Sequence, residues 1–492
     1  MKRLALLTTL ALLAVAPQAL AAKSSFTIRG AGFGHGIGLS QYGAYGFAAH
    51  GADWKDIVLH YYTGTTLGNA AGRTIRVLMQ SGKRSVWFSG ATNAGSQKLD
   101  PGASYRIVRH GIDQVELRTA RGKKLGTFDS PLSVSSSSGS VILQNRAING
   151  LTNGRYRGAL EVRPGLFGGL TAVNALPLDD YIKGVVVGEV PTSWPLAALE
   201  AQSVVARSYS LVTDAGGAIF DQYPDTRSQM YYGMSRETPG TNQAVNSTAG
   251  QVVMYGSQVA STYYFSTSGG RTENIENSWP GARAVPYLRS VTDPYDGSSP
   301  YHRWRRVYSS KGLDAKFGGW VKGSLRSVDV TQRGVSPRIV AAQIVGSRGS
   351  TAVTGPQIRA RLGLPDTWAY FVSIKSGQGE APKAKDPAPT PQQAPANSGL
   401  TDGGGTTAGT TGAAIASAGW LRRIVGPPQL IVSGSVSPQP KRITLQKQRG
   451  KRWRTVGYGQ TDSRGRYSLL VASTGAYRVL AAGAVGPVVR VR

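Results

Sequence analysis

The sequence predicts an α+β protein: a β-rich body, a central pair of helices, and a small all-β unit at the C-terminal end. Three observations carry that prediction. Short alternating or apolar runs, separated by glycine-containing turns, fill residues 73–176. A stretch punctuated by prolines and apolar at helical spacing follows at 177–214. A segment of Pro, Ala, Gln, Gly and Thr at 376–418 then cannot bury a core, and strand-like alternation resumes over 419–492.

Taken in order, the chain starts with a basic Met1-Lys-Arg3, an apolar run from Leu4 to Val15 and a small-x-small site at Ala19-Leu-Ala21. That pattern is expected of a secretory signal peptide over residues 1–22, with an uncleaved N-terminal membrane helix as the competing reading. No later run is long and apolar enough to span a bilayer. Residues 30–44 read "GAGFGHGIGLSQYGA", six glycines around one histidine. A helix is predicted over Asp53–Tyr62 and should end at Thr63-Gly64.

Strands are predicted at Thr74–Leu78, Tyr105–Val108, Val115–Leu117, Ser140–Leu143, Tyr156–Val162 and Leu170–Val173. Pro177 suits the start of the first helix of the pair, because its missing N–H costs nothing there. Asp179 and Asp180 favour the same positive end, and the helix should reach about Gly188. Pro191 interrupts, Ser193 is placed to cap, and Pro195 opens a second helix to about Thr213. Strands at Gln251–Tyr255 and Ala260–Phe265 and a helix at Gly355–Leu362 complete the main domain, expected over 23–375. Strands at Gln429–Ser433, Arg442–Gln446, Tyr467–Val471 and Tyr477–Leu480 predict a small immunoglobulin-like β-sandwich after the linker, with no catalytic cluster.

Composition narrows the function. At 492 residues the chain has room for two or three domains. It has no cysteine, which excludes disulfides and thiolate metal sites, so stability comes from core packing. Its 56 Lys+Arg against 26 Asp+Glu give a formal charge of +30. An exported chain of that sign fits an anionic wall polymer, while a solvating role for the charge is the plainer alternative. No basic helix, zinc finger or RNP-like strand points to nucleic acid. A bacterial envelope or secreted location follows from signal and composition together.

Candidate chemistries compete. The Gly30–Gly34 stretch lacks the βαβ setting and acidic partner of a dinucleotide loop. Ser40 with His35 as base would need an orienting carboxylate and an oxyanion hole, and nothing local supplies them. His35, His50, His60, His110 and His302 show no two-histidine spacing on one helix face, so no metal is expected. Glu189 ends an apolar run at the junction of the two helices. A carboxylate partly desolvated there would have a raised pKa and suit general acid catalysis. Pattern alone leaves Glu189 open between that role and a structural one. Arg207 on the second helix could bind an acidic group.

The stretch "LDDYIKGVVVGEVPTSWPLAALEAQSVVARSYSL" resembles the core motif of the SpoIID/LytB family of peptidoglycan-acting proteins. So do Ser228–Gly233, Ala244–Val253, Tyr264–Thr272 and "TGPQIRARLGLPDTWAYFVSI", and the opening stretch is similar to the family's GHGxGxSQxGA signature. The resemblance spans roughly residues 26–375. It implies a lytic transglycosylase that cleaves MurNAc–GlcNAc bonds of stem-peptide-free glycan strands and leaves a 1,6-anhydro ring, with Glu189 first as acid and then as base. The alternative it implies is a non-catalytic, wall-binding enhancer of an N-acetylmuramoyl-L-alanine amidase. On this reading Arg207 and other basic residues meet the lactyl carboxylates, and Tyr231 or Tyr232 stacks on sugar. Gln202, Ser266 and Ser268, with His35, Ser40 and Gln41, line the cleft. No cofactor is implied, and Phe220–Gly233 lacks the Cys/His cluster that some members carry. In the family the glycine signature usually follows the end of the domain, whereas here it comes first, as in a circular permutation. If the fold is retained, residues 26–40 should lie beside strands near 368–375.

Overall fold

The computed structural model describes residues 25–70, 72–165, 168–374, 430–435, 443–450, 452–459, 466–471, 475–481, 484–486 and 488–491. The expected signal peptide and linker lie outside the described residues. The architecture is mixed, with antiparallel sheets and helices, as an α+β class requires.

Two six-stranded antiparallel sheets form the body. One runs in the order Lys124–Asp129, Gln114–Thr119, Ser104–His110, Ser85–Ser89, Ser140–Arg146, Thr152–Arg157. The other runs Thr74–Lys83, Leu170–Pro177, Ala159–Pro164, Leu132–Ser135, Asn93–Ala94, Gln97–Lys98. Alternating residues of both sheets, such as Val86, Phe88, Ile107, Leu117, Leu160 and Val162, meet in one core. Leu170–Pro177 is buried at every position but the last, which is why it reads as an apolar run without alternation.

Eight α-helices are described. They are α1 (Gln41–Ala49), α2 (Trp54–Tyr61), α3 (Leu178–Glu189), α4 (Leu196–Val212), α5 (Pro239–Ser247), α6 (Ile275–Ser278), α7 (Ser310–Phe317) and α8 (Gly355–Leu362). Helix α3 adds Tyr181, Ile182, Val185 and Val186 to the core of the β-body, and α4 adds Leu199 and Ala206. The opposite face of α4 (Ala201, Val204, Val205) packs with Ile57, Val58, Tyr61 and Tyr62 of α2 and its end. Helix α4 is therefore buried nearly all round, and the body and the N-terminal helices share it as a spine. Among the described residues, no helix is long and apolar enough to cross a membrane.

The N-terminal strand Ser25–Gly30 lies between Trp304–Ser309 and Ala369–Ile374, antiparallel to both. Ser25 pairs with Ile374 and Gly30 with Ala369, so the adjacency expected of residues 26–40 and 368–375 is observed over residues 26–30. A second core, with Phe26, Ile28, Phe317, Ile344, Ile358 and Leu362, lies beneath this sheet and the meander Leu325–Arg333, Ile339–Gly346, Gly349–Thr354. Arg338 is 1% exposed and pairs both Nε and Nη2 with the buried Asp366 at 2.9 Å. Arg338 also donates to the carbonyls of Arg271 and Ser268. One buried cation thus ties three chain segments together, and its polar atoms are satisfied as burial demands.

Two expectations need correction, and one helix lies where none is expected. Ser193 does not cap α4, which begins after Pro195 without a side-chain cap. The strand expected at Ala260–Phe265 is present only at Tyr264–Phe265, which pairs parallel with Leu39–Ser40. Helix α1 was not predicted at all. At the C-terminal end, Leu430–Ser435 pairs with Arg466–Val471, and Arg452–Gly459, Ile443–Arg449 and Gly475–Ala481 form a second antiparallel sheet with two short strands.

Candidate functional site

Proline places Glu189. The residue before a proline is pushed out of the helical region, and Val190, preceding Pro191, is extended at φ −135°, ψ 155°. Helix α3 therefore stops at Glu189 and leaves its carboxyl at the elbow before α4. Glycine then brings a loop to that carboxyl. Gly184 and Gly188 lie one turn apart on the same face of α3. A Cβ at Gly188 would sit 2.7 Å from Met230 O, and one at Gly184 would sit 2.5 Å from the Tyr231 ring. The 228–233 segment lies against this bare face, and Met230 donates its N–H to Glu189 Oε1 at 2.6 Å.

Glu189 is half-buried, and burial pushes its carboxyl up to about 7. The Met230 N–H and the Tyr264 and Gln41 side chains oppose that shift by favouring the charged form. Among the described residues, no second carboxylate contributes to it. Gln41 Nε2 also reaches the Glu189 carbonyl at 3.3 Å and Gln202 Oε1 at 3.4 Å. The arrangement is a single carboxyl poised to hold or release a proton near neutral pH.

Two groups of rings pack here. Trp194, in the elbow, contacts Tyr42 and Tyr45 of α1 with centroids 5.2 Å away in each case. In the second group Tyr264 meets Tyr209, Tyr209 meets Tyr263, Tyr263 meets Trp279, and Trp279 meets His35. All of these rings are half-buried, so each keeps some open surface.

The glycine motif is a frame. Gly36 and Gly38 have φ of +84° and +73°. A Cβ would meet Arg338 Nε at 2.6 Å at the first and Tyr263 O at 2.1 Å at the second. Both positions thus demand glycine by conformation and by space. His35 Nδ1 accepts from the Ile37 N–H at 3.1 Å. Burial, with Arg359 and Arg338 nearby, pushes the imidazole down to about 3, so it is neutral. Ser40 is the N-cap of α1, accepting from the N–H groups of Gly43 and Ser268 at 3.2 Å. The two are therefore not arranged as nucleophile and base.

Of the residues singled out from sequence, Glu189, Gln41 and Gln202 come together. Ser266 adjoins them through its carbonyl, which accepts from Tyr42 N–H at 2.9 Å. Tyr232 lies on the loop against α3 with the Arg236 guanidinium over its ring. Four expectations are corrected. Arg207 is fully buried: it donates to Asp179 at 2.7 Å and to the carbonyls of Gln251 and Val245, so it presents no free guanidinium to a ligand. Ser40 is fully buried, as is Ser268, whose hydroxyl is bonded to Asp296. Tyr231 is fully buried and donates to Asn174. Sequence reasoning missed Tyr264, Met230, Tyr42, Trp194 and Tyr209. Trp194 between Ser193 and Pro195, within the elbow, is the one readable signal.

Comparison with known proteins agrees with this geography. Residues 167–255, which contain α3, the elbow and α4, match the SpoIID family model, described as stage II sporulation protein. The chain is similar to stage II sporulation protein D of Bacillus subtilis (strain 168), 32% identical over 213 residues, covering 39% of this chain and 60% of that protein. The corresponding protein of Bacillus amyloliquefaciens is 29% identical over 210 residues, 39% of this chain and 59% of that one. An amidase enhancer of Bacillus subtilis is 38% identical over 135 residues, 27% of this chain and 18% of that protein. The matches thus span at most about 60% of these relatives' length.

Proposed function

We propose that this chain, whose residues 167–255 match the SpoIID family model, is a secreted, cell-wall-acting lytic transglycosylase. The observation that carries this reading is the single carboxyl of Glu189, raised to about 7 at a ring-flanked elbow. A protonated Glu189 gives its proton to the glycosidic oxygen between MurNAc and GlcNAc as the C1–O bond breaks. The resulting carboxylate takes the proton from the MurNAc C6 hydroxyl while O6 bonds to C1. The proton moves from O6 to the leaving oxygen and no water is consumed. One carboxyl suffices, whereas hydrolytic glycosidases use two.

The half-buried rings support a glycan ligand, because sugar faces stack on aromatic faces. Trp194 and Tyr42 form one such pair, and Tyr209, Tyr263 and Trp279 form a chain that continues from Tyr264. The charge of +30 suits a polymer bearing lactyl carboxylates. With Arg207 occupied, exposed cations take over that attraction. The division into signal peptide, main domain over 23–375, linker and C-terminal β-sandwich belongs to the same reading.

Similarity to an amidase enhancer favours a second reading, a wall-binding protein that stimulates an amidase. The test is Glu189→Gln. Release of 1,6-anhydro products from denuded glycan by the wild type but not by the variant upholds the enzyme. Equal release by both removes Glu189 as the acid. No release by the wild type, with a cell-wall amidase stimulated, upholds the enhancer.

A further inference from the structure

Gln229 is fully buried, and its amide has one permissible orientation. One amide atom faces the carbonyl oxygen of Ala206 at 3.3 Å. A carbonyl oxygen only accepts, so the atom facing it is Nε2. Nε2 then spends its second hydrogen on the hydroxyl oxygen of Tyr264 at 2.9 Å. Oε1 points the other way, toward the hydroxyls of Tyr181 at 3.1 Å and Ser210 at 2.8 Å. The Tyr264 oxygen is therefore already an acceptor from Gln229, and its own proton is free to be donated. The group it faces is the Glu189 carboxyl.

We infer that Gln229 fixes the direction of the Tyr264 hydroxyl so that it donates to Glu189, which makes Tyr264 a positioning residue for the proposed acid. The inference rests on the reading of Glu189 given above. The consequence is electrostatic. The Met230 N–H and the Tyr264 O–H, together with the Gln41 amide, then favour the carboxylate that remains once the proton has left. The first two also depend on adjacent parts of one loop, since Gln229 directs one and Met230 supplies the other. The remaining titratable groups facing the pair are the phenols of Tyr181 and Tyr209, each pushed up by burial and so uncharged near neutral pH. Among the described residues, no cation shares the work.

The experiment uses the full chain with 13C-labelled glutamate carboxyls, the Glu189 resonance being assigned by its loss in Glu189→Gln. Titrations are compared for the wild type, Tyr264→Phe, Gln229→Met and the double variant, each shown to be folded by circular dichroism. Removing the donor should move the Glu189 titration upward by about one pH unit in either single variant. The double variant should shift no further than the larger single shift, because both act through one hydrogen bond. The high-pH limb of glycan cleavage should move by the same amount. A Glu189 titration unmoved in folded Tyr264→Phe, or additive shifts in the double variant, overturns the inference. Retention of glycan cleavage by Glu189→Gln would instead overturn the proposed function, and the carboxyl titration would still report on Tyr264.

Discussion

Met230 donates its backbone N–H to Glu189 Oε1 at 2.6 Å across 41 residues of sequence, and Gly188 is what allows the approach. On helix propensity alone, Gly188→Ala would stabilise α3 by about 1 kcal/mol. A Cβ there would stand 2.7 Å from Met230 O, which is backbone and cannot swing aside like a side chain. The expected outcome is a displaced loop, a weakened bond to Glu189 and roughly tenfold less glycan release. Product release measured beside a thermal melt checks this. Unchanged release would mean that the loop does not govern the carboxyl.

The pH dependence follows from the direction of the Glu189 shift. Burial raises its pKa to about 7, so the proton is present below that pH and absent above it. As the acid, Glu189 must start protonated. Glycan cleavage should therefore hold up to about pH 7 and then fall by up to about tenfold per pH unit. A rate profile on denuded glycan that stays flat to pH 9 would remove Glu189 from the proton-donating step.

Arg207 is expected to matter for stability and not for ligand affinity. Arg207→Met strips two backbone carbonyls and Asp179 of their buried donor. A loss on the order of 2–4 kcal/mol is expected, discounted because Asp179 is partly open to solvent. Glycan binding by the folded variant should stay within about twofold. A tenfold loss of binding at unchanged melting temperature would restore Arg207 as a ligand residue.

Asp293 should make the fold less stable as pH rises. It is fully buried, and burial followed by the neighbouring Asp296 pushes its carboxyl up from 3.8 to about 6. The hydroxyls of Ser268, Ser40 and Tyr61 offset part of this. The folded state thus holds the proton more tightly than the unfolded chain. Its contribution is fully present below about pH 4 and is lost as pH climbs through about 6. The loss is on the order of 2–3 kcal/mol. Asp293→Asn should flatten that part of the melting-temperature profile. A slope between pH 4 and 6 identical to that of the wild type would show that another group causes it.

Much of the architecture was legible because it depends on local pattern. Helix α8 falls at Gly355–Leu362 as expected, and Thr354 with Gln357 forms its capping box. Helix α2 begins after its Asp53 cap. Helix α1 was not legible, because Gly43 and Gly46 argue against a helix by propensity. Their reason is tertiary. A Cβ at Gly43 would meet the Tyr61 hydroxyl at 2.0 Å, and one at Gly46 would meet Tyr295 O at 2.1 Å. Arg207 misled for the opposite reason, since a cation on an amphipathic-looking helix gives no sign that both faces of that helix are covered.

The strand-rich body, the proline-broken helical pair and the position of Glu189 at the break are all readable from residue order. All three rest on short-range rules of alternation, capping and the residue before proline. The sequence also excluded disulfides and thiolate metal sites by holding no cysteine. Folding alone brings the Met230 N–H and the Tyr264 hydroxyl held by Gln229 to the carboxyl, and gathers rings from α1, α4 and the 263–279 stretch into contact. Those partners lie tens to about 150 residues away along the chain. Proton affinity depends on burial and on who donates to the carboxyl, and neither quantity has a local signature.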